Sequence, residues 1–102
     1  MTNITHTREV LIMRILEGDG QASHAQRRAA FDNKGLADPL KTLIDKVAKH
    51  AHRVTDEDII AARASGLSED QIFEMVVCAA IGQAGRLYDT ALAALEAATK
   101  EE

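Results

Sequence analysis

The chain has a single cysteine, a single proline, no tryptophan and only 3% aromatic residues in 102 positions. Each shortage excludes something. One thiol cannot form a disulfide within its own chain, so no covalent framework holds the fold, and a reducing compartment suits it. One proline leaves long stretches free to run as helix. No apolar run approaches the roughly 20 residues needed to cross a bilayer. The opening MTNITHTREV has no basic segment followed by an apolar one, so it does not read as a secretory signal. Basic charge is also scarce. Twelve Lys and Arg face sixteen Asp and Glu, a formal net charge of −4, and nucleic-acid binding requires a clustered basic face. The local basic groups, Arg27-Arg28 and Lys46 to Arg53, read as solvated helix surface. The expectation is a cytoplasmic protein with no nucleic-acid or membrane partner.

What is abundant is alanine, with leucine, glutamate, lysine and arginine, all of which cost little in a helix. At 102 residues the chain makes one domain, with a core small enough that self-association would help its stability. The pattern predicts an all-α domain of five helices. The first covers Thr7 to Glu17, presents Val10, Leu11, Met13 and Ile15, and stops at Gly18. Ser23 caps a second that runs to Phe31. Asp38-Pro39 opens the third, whose Leu40, Leu43, Ile44, Val47, Ala48 and Ala51 share a face and which ends near His52. Thr55 with Asp58 forms a capping box for a short fourth helix, which Gly66 closes in a left-handed conformation. Ser68 with Gln71 is a second capping box, and it opens the longest helix, about Glu69 to Thr99. The closing TKEE is expected to fray.

Between Glu74 and Arg86 the chain reads MVVCAAIGQAG, with no charge. A helix apolar on every side is expected to be covered on every side. The four shorter helices can hardly do this, so the pattern predicts a homo-oligomer in which Gly82 and Gly85 admit a close helix approach. Glu74 and Arg86, twelve residues apart, mark the ends of that segment.

The ordered pattern A-R-x-x-G-L-S-E-x-x-I over residues 62–72, followed by GRLYDTALAAL, resembles the carboxymuconolactone decarboxylase-like family, which includes the AhpD-like alkylhydroperoxidases. The resemblance covers roughly residues 38–98. It implies an all-α AhpD-like fold and a closed oligomer. In the redox members, C-x-x-C followed by x-x-x-H precedes the short helix. Those places fall here on Ala51, Val54 and Asp58 within AHRVTDED, and the proton-relay glutamate's place falls near Pro39, beside Asp38. Peroxide reduction needs a thiolate and a resolving thiol, which alanine and valine do not supply. Cys78, inside the apolar run, reads as a small core residue.

Three functions remain open. One is an oligomeric scaffold or small-ligand binder without peroxidase activity. Another is a cofactor-free acid–base enzyme on a small carboxylate, implied by the family's decarboxylase branch, with His52 and Asp58 as the candidate catalytic pair and Arg53 and Arg86 as available anion-binding groups. The third is an alkylhydroperoxidase-type antioxidant. No cofactor is expected. His50 and His52, with Asp56 to Asp58 nearby, match no specific metal motif, and two residues apart on a helix they would diverge. His6 and His24 have no informative neighbours.

Overall fold

In the computed structural model, which describes Thr2 to Lys100 and the side chains from Thr5 onward, the chain folds as α-helices joined by short connections. They are α1 (Thr2–Glu17), α2 (His24–Asp32), α3 (Leu40–Lys49), α4 (Asp56–Ala64) and α5 (Glu69–Lys100), with a 3-10 turn at Ala51–Arg53 between α3 and α4. No strand occurs among the described residues, and no helix among them is long and apolar enough to cross a membrane. The last two residues of the closing TKEE lie outside the described residues; Thr99 and Lys100 are helical.

The boundaries follow from local capping chemistry. Ser23 accepts the Gln26 N–H while the Gln26 side chain accepts the Ser23 N–H, so two of the otherwise unpaired amides at the start of α2 are satisfied together. Thr55 and Asp58 do the same for α4, and Ser68 and Gln71 for α5. Asn33 ends α2 in the left-handed conformation at φ 50°. Gly66 follows α4 at φ 107°, where a Cβ is disfavoured.

Three expected features are corrected. α1 begins five residues earlier than its apolar pattern suggests, at Thr2. Its inward face is Ile12, Ile15 and Leu16, whereas Val10, Leu11 and Met13 are exposed. α3 starts at Leu40 with Pro39 as its cap residue, and it stops at Lys49 rather than near His52. Asp38 nevertheless serves the helix start, because its carboxylate accepts both the N–H and the hydroxyl of Thr42.

α5 is the spine. One side of its first half carries Ile72, Met75, Cys78, Ala79 and Gly82 into the interior. Met75, Cys78 and Ala79 pack with Leu16, Ala22, Ala30 and Ile44 in the main core; Ile72 packs with Leu43 and Ala62 in an adjoining cluster against α3 and α4. Leu43 and Ile44 are almost fully enclosed, and each contributes roughly 1.5–3 kcal/mol by leaving water.

α2 crosses α5 most intimately. At Gly82 an added Cβ would overlap the Phe31 carbonyl, so the absence of a side chain lets α2 lie directly on α5. Gly82 and Gly85 were expected to admit another subunit. Instead Gly82 receives the chain's own α2, and Gly85 sits under Arg8 of α1. As expected of a single chain, its own helices leave one side of the chargeless segment open: Ala80 and Ala84 face outward, and beyond its two ends Phe73 is 65% exposed and Leu87 60% exposed.

Candidate functional site

The candidate stretch Ala51 to Asp58 begins in the turn between α3 and α4 and runs into the first turn of α4. Because α3 stops at Lys49 and the 3-10 turn re-aims the chain, His50 and His52 do not diverge as on one helix. Their rings meet edge to face with centroids 6.2 Å apart. Ala51, His52 and Arg53 are exposed. Val54 turns inward and packs against the Leu43, Ala62 and Ile72 cluster, an apolar contact at one of the two places where the resemblance puts a thiol.

Asp58 is the most committed group there. Its carboxylate accepts the Lys46 ammonium at 2.9 and 3.1 Å, the Thr55 N–H at 2.9 Å and the Thr55 hydroxyl at 3.2 Å. The carboxyl is held below the ordinary aspartate value, first by the hydrogen bond from Lys46 and then by the Thr55 backbone. A general base works best with a pKa raised toward neutrality, and these contacts push the other way. They also make Asp58 a brace between α3 and α4. The hydrogen-bond partners of the Asp58 carboxylate are Lys46 and Thr55, and His52, the other candidate, is not among them. Among the described residues no group of three His, Cys, Asp or Glu is placed to hold a metal ion.

Cys78 is 1% exposed, and its Sγ lies 3.8 Å from the Ile15 carbonyl. Burial raises its thiol above the usual value. Both effects suppress the thiolate, the reactive form.

A second polar constellation joins α2 to α5. The Glu74 carboxylate accepts the Gln21 N–H with both oxygens, at 2.9 and 2.8 Å, and the Ala22 N–H at 3.0 Å. Twelve residues later, Arg86 donates to the Phe31 carbonyl at 2.7 Å. Glu74 and Arg86 therefore mark more than the ends of an apolar segment: they hold the two ends of α2. Arg27 is buried from α2 and donates to the Ile15 and Gly18 carbonyls at 3.2 and 2.7 Å. It supplies positive charge and donors where α1 ends with free carbonyls. These roles escape a reading of the sequence because the partners are backbone atoms many residues away. The one available signal was an acid and a base bracketing a chargeless stretch.

Open depressions lie elsewhere. A polar one of about 430 Å³ is bounded by the turn from Gly18 to Ser23, with Arg27 and Gln71. An apolar groove of about 380 Å³ runs between α1 and α5, lined by Leu11, Ile12, Ile81, Ala84 and Tyr88. Arg8 lies over the Tyr88 ring at 5.4 Å from its centroid, and it pairs with Asp89 at 2.9 Å.

Compared with family models, with curated proteins and with solved structures, the chain matches none.

Proposed function

We propose that this chain is a carboxymuconolactone decarboxylase-like protein without the family's redox centre, acting in the cytoplasm as a homo-oligomeric scaffold or small-ligand binder. The observation that carries this reading is the commitment of Asp58. At the histidine's place in the resemblance, its carboxylate closes a helix cap and pairs with Lys46. That arrangement fixes the α3–α4 junction and leaves the carboxylate poorly suited to relaying a proton. The neighbouring places, Ala51 and Val54, carry no thiol. The one thiol of the chain is enclosed in the core.

An acid–base reaction on a small carboxylate has less support. Of the groups it would use, Asp58 is tied to Lys46, and Arg86 is tied to the end of α2.

The test is peroxide consumption with a dithiol reductant, run on the wild type and on Cys78→Ala. The expected result is no turnover above the reductant's own background for either protein. Robust turnover by the wild type that disappears in the variant would overturn the reading. A thermal-shift screen of small carboxylates and apolar compounds then separates the ligand binder, which gains stability with a bound compound, from the pure scaffold.

A further inference from the structure

We infer that two copies of the chain pair through an antiparallel contact between their α5 helices, along a face of α5 that its own chain leaves open. The inference rests on the oligomeric reading above and assigns it a surface and a register.

The first observation is surplus surface. The chain exposes 7102 Å² for its 11.1 kDa, whereas a compact monomer of that mass exposes about 5,700 Å². The excess, about 1,400 Å² on the same scaling, is larger than the roughly 800 Å² each partner contributes to a standard interface. The radius of gyration is 15.6 Å, against about 13 Å for a compact domain of this length. Much of the excess is α5 itself. Every residue from Arg86 to Lys100 is exposed, yet the segment keeps Leu87, Leu92 and Leu95, of which Leu87 lies on the seam.

The second observation is the pattern on the open face. From Phe73 to Ala98, a stripe of apolar positions, all exposed except half-buried Val77, alternates four and three residues apart, the spacing that keeps a seam facing a partner helix. The order of spacings is the same read in either direction, so the helix can pair with an inverted copy of itself about an axis between Gly85 and Arg86. In that register Phe73 lies opposite Ala98, Val77 opposite Ala94, Ala80 opposite Ala91 and Ala84 opposite Leu87. Each large side chain meets an alanine: the layers next to the axis pair Ala84 with Leu87, and the next layers out are alanine on alanine. Size is complementary throughout, and the axes can come close.

The third is charge. In the same register Gln83 flanks Thr90 of the other copy and Ile81 flanks Tyr88, so no like charges meet. Asp89, Glu96 and Lys100 fall on the opposite side of the helix, as periodicity of 3.6 requires. The core residues Met75, Cys78, Ala79 and Gly82 also face away from the seam. The arrangement is isologous, so both copies are satisfied at once. The seam borders the apolar groove at Ala84, and none of its residues lines the polar depression beside Arg27.

The test combines mass with cross-linking. At micromolar concentration, light scattering of the wild type should give at least twice 11.1 kDa. Leu87→Glu should reduce that mass to the single chain with helical circular dichroism unchanged. The double variant Ala80→Cys/Ala91→Cys should become a covalent dimer on mild oxidation, because its two thiols lie opposite each other across the seam. Within one chain they are eleven residues apart on a helix, about 16 Å, too far to join. Ala80→Cys alone should remain uncrosslinked for the same reason. A wild type that stays at 11.1 kDa would remove the oligomeric reading and this inference together. An oligomer that survives Leu87→Glu, or that fails to cross-link in the double variant, would overturn this surface while leaving the oligomeric reading standing.

Discussion

Glu74 grips Gln21 with both carboxylate oxygens on a single backbone N–H, 53 residues away in sequence, and one of those oxygens also takes the next amide, that of Ala22. The side chain thereby satisfies donors in the turn that leads into α2, where a β-carbon on Gly20 would collide with it. Glu74→Ala should cost about 1.5–3 kcal/mol in urea unfolding, since hydrogen bonds to a charged group carry roughly that much. Gly20→Ala should lose part of the same stability by displacing the carboxylate. The double variant Gly20→Ala/Glu74→Ala should lose less than the sum of the two single losses, because both changes break one contact.

Two glycines of α5 should respond oppositely to alanine. In an exposed helix the exchange is favourable by about 1 kcal/mol. At Gly82 the new methyl would meet the Phe31 backbone carbonyl, which cannot swing aside. Overpacking of that kind costs about 1–3 kcal/mol, so Gly82→Ala should lower the melting temperature. At Gly85 the methyl would sit 3.0 Å from the Arg8 guanidinium, the far end of a flexible side chain. Gly85→Ala should therefore be neutral or stabilising. Thermal melts of the two variants check the contrast.

The α4 boundaries give a third expectation. Thr55→Ala removes the hydroxyl that accepts the Asp58 N–H at 3.4 Å, and it should cost about 1 kcal/mol as a lost cap. At Gly66 an added Cβ would meet nothing within 4 Å, so the penalty there is purely conformational. Gly66→Val should cost about 1 kcal/mol or more, because a β-branched residue is strained at positive φ, and Gly66→Asn should cost less. Equal melting of all three variants with the wild type would contradict this account of the boundaries.

Acid should act through Asp58. Its folded value is depressed by Lys46 and Thr55, so the native state binds that proton more weakly than the unfolded chain does. The associated stability is present above the ordinary aspartate value, about 3.9, and is lost as pH falls through the lower folded value. Asp58→Asn should destabilise the protein at neutral pH. It should also flatten the fall of melting temperature between pH 5 and the acid limit, roughly the window set by those values. A variant with the same acid slope as the wild type would mean that other carboxylates, such as Asp38, Asp45 and Asp89, control the transition.

Helix ends were readable from the sequence because their chemistry is local. Ser23 with Gln26, Thr55 with Asp58, and Ser68 with Gln71 each satisfy one another three residues apart. Gly66 declared its own conformation. The early turns of α1 were obscured by Thr2, Asn3, Ile4, Thr5 and Thr7, residues of middling helix propensity. The inward face of α1 was misassigned because Val10, Leu11, Ile12, Met13, Ile15 and Leu16 offer more than one apolar stripe, and only the position of α5 selects between them. Asp58 was legible as a cap, but Lys46, its ion-pair partner, lies twelve residues back on another helix. Arg27 gave least warning. A buried arginine is usually sought beside an acid, and here its acceptors are carbonyl oxygens at the end of α1.

The two anchors of α2 also set an order of events during synthesis. A nine-residue helix is too short to persist alone in water. Glu74 and Arg86 leave the ribosome more than 50 residues after the segments they secure, and the loop must close before either contact can form. α2 therefore waits, unsettled, while α3 and α4 are already available to one another. Arg27 can already reach its α1 carbonyls, but the side of α2 that meets α5 docks only when the first half of α5 has been made, so a chain interrupted before Glu74 would leave Ala30 and Phe31 without their seat and open to degradation.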